Sequence, residues 1–450
     1  MGADRWACCL VEGQPNRRPN GRSVIDRKLP VAPWFPWIGI TKMSPLRNRI
    51  VTPSASSATG NRCERRPLTR KLVWSLRMRV VLLPFAVSPC PELLGQEAAK
   101  AEAELSVYDR IWSYADWYHN QENPVIQRFQ FTGRFQLDYS LINSDQGDED
   151  EVNIRRFRAG ARARLFENFT LHGEADLNPQ EPEPAFRRLT HMYLAWSRTD
   201  ELIVTLGKHS APFTLSGSTS SRELITIDRG NLAHNIWFRN EYFPGMSVSG
   251  KPGDWRYFAG TYSAGAQDRL FGEFNGGVFF LGTVGYDFAT QLNSEQALLA
   301  VNYVYQEPDS DSDWTPALQH VSSLNFRYDT GKWGFRADVS GGIGCFDQSN
   351  LWGAELLPFY NITDQLQVVV RCSYVRSDGD NGVRLALYEN TIVEDPGDDY
   401  NEIYLGLNYF LYGHKLKVQT GVQYSHMRDR ANDGGEYSGW AWTTGLRIFW

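Results

Sequence analysis

The sequence predicts an all-β protein: a transmembrane antiparallel β-barrel of about 16 strands with a long third loop that folds inward. Three observations predict it. Long stretches alternate strictly between apolar and polar residues, and several exceed the five or six residues usual for a strand in a soluble sandwich. The connections between them alternate between short turns and longer loops. The chain closes on an amphipathic stretch that ends in Trp450. No run of 18 apolar residues occurs, which excludes a membrane-spanning helix but not a barrel, whose strands never form such runs.

The chain carries a net charge of −6, unevenly spread. Residues 1–95 hold 16 Lys and Arg against 5 Asp and Glu, a net of +11, so residues 96–450 carry −17. The first 77 residues are rich in Arg, Pro and Ser without periodicity and are expected to be a disordered or non-native extension. Basic residues around Arg77 and Arg79, then "VVLLPFAV", then small and polar residues give 78–95 the layout of a secretory signal cleaved near Gly95. Residues 96–124 are expected to form a short periplasmic segment, with helical spacing of Leu105, Tyr108, Ile111, Trp112 and Ala115, and residues 125–450 the barrel. After cleavage only Cys345 and Cys372 would remain, which allows one disulfide and no metal site.

The first strand, "RFQFTGRFQLDYSL" (128–141), puts Phe129, Phe131, Phe135, Leu137, Tyr139 and Leu141 on one face and polar residues on the other. At about 14 residues it exceeds the roughly 9–11 that a tilted strand needs to cross a bilayer. Strands follow at about 154–166, 169–177, 189–197, 202–209, 245–250, 255–262, 278–288, 297–306, 320–329, 333–344, 351–360, 365–376, 401–410, 415–427 and 437–450. An even number suits a barrel with both termini on one side. Turns at 167–168, 198–201, 251–254, 289–296, 330–332, 361–364 and 411–414 fit the periplasmic side. Longer loops, among them the acidic "DQGDEDE" (145–151), "EPDSDSD" (307–313) and "EDPGDD" (394–399), fit the outer side. No fixed-length repeat points to a solenoid or propeller.

Within a bilayer every backbone group must be paired, so the sheet closes, with its apolar face to lipid and its polar face to a lumen. In "RRFRAGARARLF" (155–166), Arg156, Arg158, Arg162 and Arg164 then face the lumen. Arg155 has lipid-facing parity and is expected to snorkel at the outer boundary. The same parity places Arg128, Arg134, Arg256, Arg327, Arg336, Arg371, Lys417 and Arg447 inward, with fewer acids (Asp138, Glu174, Asp176, Asp338, Glu355). Inward arginines between low-dielectric walls concentrate anions, and guanidinium pairs with phosphate in a two-pronged geometry. The structural alternative is pairing with Glu174 and Asp176 on the next strand.

Several stretches, including "GRFQLDY", "RRFRAGARARLFENFTLHGEADL", "SRELITIDRGN", "LPFYNITDQLQVVVRCSYV" and "GLNYFLYGHKLKVQTGVQYS", resemble the phosphate-selective porin O and P family across about 125–450. The resemblance implies a sixteen-stranded outer-membrane porin, a homotrimer in the lipid of a bacterial outer membrane, conducting small anionic solutes. It maps the family's arginine-rich second strand onto Arg156, Arg158, Arg162 and Arg164. The family's third loop falls on 210–244, with Ser221, Arg222, Asp228 and Arg229. A connection of about 35 residues is long enough to be functional, and "ITIDRGNLAHNIWF" is too apolar to stay in solvent. The lysines that gather anions in phosphate-specific members are sparse here, with only Lys208, Lys251, Lys332, Lys415 and Lys417 in the barrel region.

The pore-lining and anion-binding set is therefore Arg134, Arg156, Arg158, Arg162, Arg164, Arg222, Arg229, Arg336, Arg371 and Arg447, with no catalytic residue, metal or cofactor. The expected function is passive diffusion of small solutes with anion preference for phosphate or related oxyanions. The alternatives are a non-selective porin or an adhesin or structural barrel. No Ser/His/Asp spacing supports a hydrolase, and inward arginines with acidic loops disfavour nucleic acid.

Overall fold

The computed structural model describes residues 105–450 except 181–182, 184, 238–240, 266–269, 273, 275, 311 and 313–315. The extension, the signal segment and the first residues of the periplasmic segment lie outside the described residues. The chain begins with helix α1 (Val107–Ser113) and the two-residue strand β1 (Tyr118–His119). Next come β2 (Ile126–Ser144), β3 (Gly147–Leu165), β4 (Phe169–Leu177), β5 (Phe186–Thr199), β6 (Leu202–Ser210), helix α2 (Asn231–Ile236), β7 (Tyr242–Gly250), β8 (Trp255–Ser263) and β9 (Val278–Asp287). After helix α3 (Ala289–Leu292) follow β10 (Gln296–Gln306), β11 (Leu318–Asp329), β12 (Trp333–Gly344), β13 (Leu351–Asn361) and β14 (Leu366–Ser377). The last three strands are β15 (Asp399–Tyr412), β16 (Leu416–Arg428) and β17 (Tyr437–Phe449).

Strands β2–β17 pair with their sequence neighbours, all antiparallel, and β17 pairs back onto β2, so the sheet is a closed 16-stranded barrel. The alternation that defined each strand is the cause. Val418 and Val422 on β16, like Trp440 and Trp442 on β17, are exposed outward, whereas Lys417, Gln419, Thr443 and Arg447 are buried inward. Closure leaves no open edge, the only way a sheet can persist in hydrocarbon. The seven short turns lie where the sequence placed them. Cys345 and Cys372 are free thiols.

Two local expectations fail. The acidic stretch 145–151 is not a loop: β3 starts at Gly147, and its ladder with β2 runs through Asn143↔Asp148, Leu141↔Asp150 and Ser140↔Glu151, leaving only Asp145 and Gln146 as a turn. The run of carboxylates reads as a loop, but strand pairing satisfies the backbone while the acids project into water, where mutual repulsion is screened. Arg155 does not face lipid. The register shifts between Gln136↔Arg156 and Leu137↔Ile154, so Arg155 is the extra residue of a β-bulge. The bulge flips the parity: Ile154 pairs opposite Leu137, and Arg155 turns inward to reach Asp228 of the third loop at 3.4 Å.

Residues 211–237, between β6 and β7, bond to side chains on the inward face of the wall: Leu215 N donates to Asp338 (2.7 Å), and Asn408 Nδ2 and Lys417 Nζ donate to the carbonyls of Ile225 (2.7 Å) and Leu224 (2.5 Å). Leu232 and Ile236 of α2 are buried in an apolar cluster with Leu351, Val375, Val383 and Leu385. The connection 378–398 packs on this loop through reciprocal bonds between Asn235 and the Arg384 backbone, each 2.9 Å.

At the periplasmic rim, β17 ends on Trp450, whose N–H and C=O exchange bonds with Gly133 (3.2 and 3.1 Å). Below that point β2 would be unpaired on one side. The N-terminal segment covers it: Phe131 N donates to Ala115 O (2.8 Å), and β1 pairs Tyr118↔Phe129 and His119↔Arg128. Of the residues with helical spacing, Tyr108, Ile111 and Trp112 lie in α1. Ser106 and Asp109 form a capping box that starts α1 at Val107. The Ser106 hydroxyl, then the Tyr412 phenol, hold the Asp109 carboxyl below its usual range.

Candidate functional site

The inward face of β2 and β3 divides into two regions. In the outer region each arginine is bonded to neighbours. Arg158 is fully buried, with its Nη1 on the Tyr242 hydroxyl (2.6 Å), Asp176 at 3.4 Å and Glu174 at 4.0 Å. Arg134 donates to Ser221 Oγ of the third loop (2.5 Å) and lies 3.5 Å from Glu174, and Arg222 reaches the same carboxylate at 3.3 Å. Glu174 thus joins two strands and the loop. It fits because position 160, the gap in the arginine row, is glycine: a Cβ there would lie 2.7 Å from Glu174 Cα and 2.9 Å from its Cβ. Arg156 bonds Gln136 (2.9 Å) and lies 3.5 Å from Glu241.

Arg229 does not project into the pathway as a free cation. It donates to the carbonyls of Ser216 (2.9 Å) and Thr219 (3.0 Å), pairs with Glu241 (3.2 Å) and lies over the Trp237 ring. On the far wall, Arg371 pairs with Glu402 (2.5 Å) and donates to Asp228 O (2.7 Å), and Arg447 pairs with Asp138 and donates to Ile227 O (3.0 Å). These cations hold the third loop by its carbonyls, and charge-assisted bonds of this kind are the stronger ones. The parity analysis missed Glu402, although its position on β15 carries the same inward signal as Arg371. Between loop and far wall remains a gap of about 40 Å³ lined by Asp228, Arg229, Arg371, Tyr388, Glu389 and Glu402.

The periplasmic region differs. Arg162 is exposed, and neither it nor Arg164 forms an ion pair among the described residues. Arg164 donates to Glu167 O (2.6 Å) and Ser197 Oγ (3.3 Å). With Arg128, Gln127, Gln130 and Thr170 they line a cavity of about 400 Å³. A second cavity, about 420 Å³, continues past Arg162 and Arg222 to Trp112, Tyr412, Lys415 and Phe449. Arg128 is bidentate on Asp116, at 3.0 and 2.7 Å. Across the lumen, Arg336 is half-buried, stands in register with Arg327 and has no ion pair among the described residues. The ten arginines proposed from sequence therefore separate into six that brace the constriction (Arg134, Arg156, Arg158, Arg229, Arg371, Arg447), Arg222 that bridges to the vestibule, and three with open charge (Arg162, Arg164, Arg336).

A closed sixteen-stranded barrel with an apolar exterior and a charged interior is the architecture of outer-membrane porins. Residues 129–277, which span the arginine row and the third loop, match the family model of phosphate-selective porin O and P. Among solved structures, the anion-selective porin from Comamonas acidovorans is similar over 72% of this chain and 99% of its own at 13% identity, with a TM-score of 0.52. The outer membrane channel DcaP of Acinetobacter baumannii covers 72% of this chain and 97% of its own at 12% identity (TM-score 0.48). The outer-membrane expressed OmpT of Vibrio cholerae covers 72% and 98% at 12% identity (TM-score 0.48). No curated protein is a significant match.

Proposed function

We propose that this porin conducts small anions by passive diffusion, with preference for phosphate or related oxyanions, and that its selectivity resides in the periplasmic vestibule. The observation that carries this reading is the open charge of Arg162, which faces a water-accessible cavity beside Arg128 and Arg164 without a carboxylate partner among the described residues. A paired arginine presents a dipole to a passing ion; an unpaired one presents a full charge, focused by low-dielectric walls. The family match and the printed description of the Comamonas acidovorans structure as an anion-selective porin support the same reading. The six bracing arginines set the width of the constriction, and the open ones set the sign of the solute. The homotrimer, and removal of an N-terminal signal at 78–95 together with the extension 1–77, complete the proposal. The test is a planar-bilayer recording with chloride and phosphate compared. A reversal potential on the anion side supports it; a zero reversal potential in a salt gradient leaves a non-selective porin, and no channel current leaves a structural barrel.

A further inference from the structure

Helix α1 carries three different faces. Tyr108 and Trp112 turn toward the barrel: Tyr108 stacks on Tyr412 (5.3 Å between ring centroids), and Trp112 Nε1 donates to Phe449 O (2.6 Å). Arg110 and Ser113 form a polar face exposed to water. The third face holds Val107, Ile111 and Tyr114, spaced by four and three residues so that they share one side of the helix. They are 59%, 54% and 82% exposed, and nothing among the described residues covers them.

The chain leads from this face onto the lipid-facing wall, where Phe131 N donates to Ala115 O directly after Tyr114. After α1 the chain runs directly to Trp117, which is exposed and stacks on Phe131 (5.7 Å) and packs edge-on against Phe129 (5.6 Å). Phe131 is itself exposed outward on β2. The opposite side of the helix, with Asp109, Trp112 and Ser113, lines the vestibule cavity, and Arg110 is exposed at the margin of the apolar face. Apolar side chains on one face, an arginine at its margin and tryptophan beside an aromatic belt together describe a helix lying at a membrane surface.

We infer that α1 is an interfacial helix: its Val107–Ile111–Tyr114 face is buried among the acyl chains of the periplasmic-leaflet phospholipid, with Arg110 at the phosphate headgroups. The clasp formed by β1 on β2 fixes its depth. The N-terminal segment therefore anchors the rim to lipid instead of projecting into the periplasm.

The test places single cysteines at Val107, Ile111, Tyr114, Arg110 and Ser113 of the full chain with native cysteines replaced by serine, and attaches a nitroxide to each. The proteins are reconstituted in phosphatidylethanolamine and phosphatidylglycerol vesicles after a heat-modifiability check of folding. Collision with oxygen, which partitions into lipid, is compared with collision with a water-soluble nickel chelate. The inference expects an oxygen-to-nickel ratio several-fold higher at 107, 111 and 114 than at 110 and 113. Equal, nickel-accessible behaviour at all five sites overturns it in favour of a solvated helix. Low access to both probes at 107 and 111 overturns it in favour of a protein partner, such as a second copy of the chain.

Discussion

Replacing Arg162 by Ala removes an exposed charge that no carboxylate among the described residues neutralises. An ion passing about 6 Å from it through water interacts by about 0.7 kcal/mol, favourable for an anion and unfavourable for a cation. The difference between the two signs is about 1.4 kcal/mol, close to tenfold in relative permeability, as an upper bound near 10 mM salt where the Debye length is about 30 Å. At 1 M salt the Debye length is about 3 Å and the effect should nearly vanish. Arg158→Ala makes the contrast. Its guanidinium is fully buried between Asp176, Glu174 and Tyr242, and breaking a buried pair costs about 3–5 kcal/mol. That variant should chiefly lower thermal resistance in heat-modifiability gels, whereas Arg162→Ala should leave it unchanged. The assay is the reversal potential across a planar bilayer in a potassium chloride gradient, repeated from 10 mM to 1 M. An unchanged reversal potential for Arg162→Ala at low salt, or a loss of stability matching that of Arg158→Ala, would refute the division of the arginine row.

Asp116→Asn should act with the opposite sign, because it releases Arg128 from its bidentate partner and adds one unit of positive charge to the vestibule; anion preference should rise in the same recordings, again most at low salt. Arg155→Ala removes the contact between the β3 bulge and Asp228, so the third loop should fluctuate more, read as greater open-channel current noise; an indistinguishable trace would mean that the bulge does not restrain the loop. Deleting Trp450 removes the last reciprocal backbone pair with Gly133 and should reduce the fraction of heat-modifiable barrel recovered from outer membranes.

Period-two alternation made all sixteen strands legible, because lipid on one side and water on the other enforce the same parity along each strand. What it could not show is where a single inserted residue resets that parity. Arg155 differs from Arg156 only by the bulge, and nothing in "IRRF" marks which of the two is extra. Pairing was equally hidden. Arg158 and Arg162 look alike in sequence, and only the loop and the cross-strand carboxylates separate a buried brace from an open charge. The third loop's attachment through backbone carbonyls was hidden as well, since carbonyls carry no sequence signal.

The seam where β17 meets β2 also has a kinetic meaning. Its contacts join the two ends of the barrel, as in Arg447 with Asp138, more than 300 residues apart. Loop-closure entropy makes such pairing the most costly to begin, so this seam is the natural last event of assembly. Every other strand pair joins neighbours in sequence, whereas this one must wait for β17, the last strand of the sheet. The segment that clips β1 onto β2 beneath Trp450 then acts as a latch on a finished ring, and an unlatched barrel is one that has not yet closed.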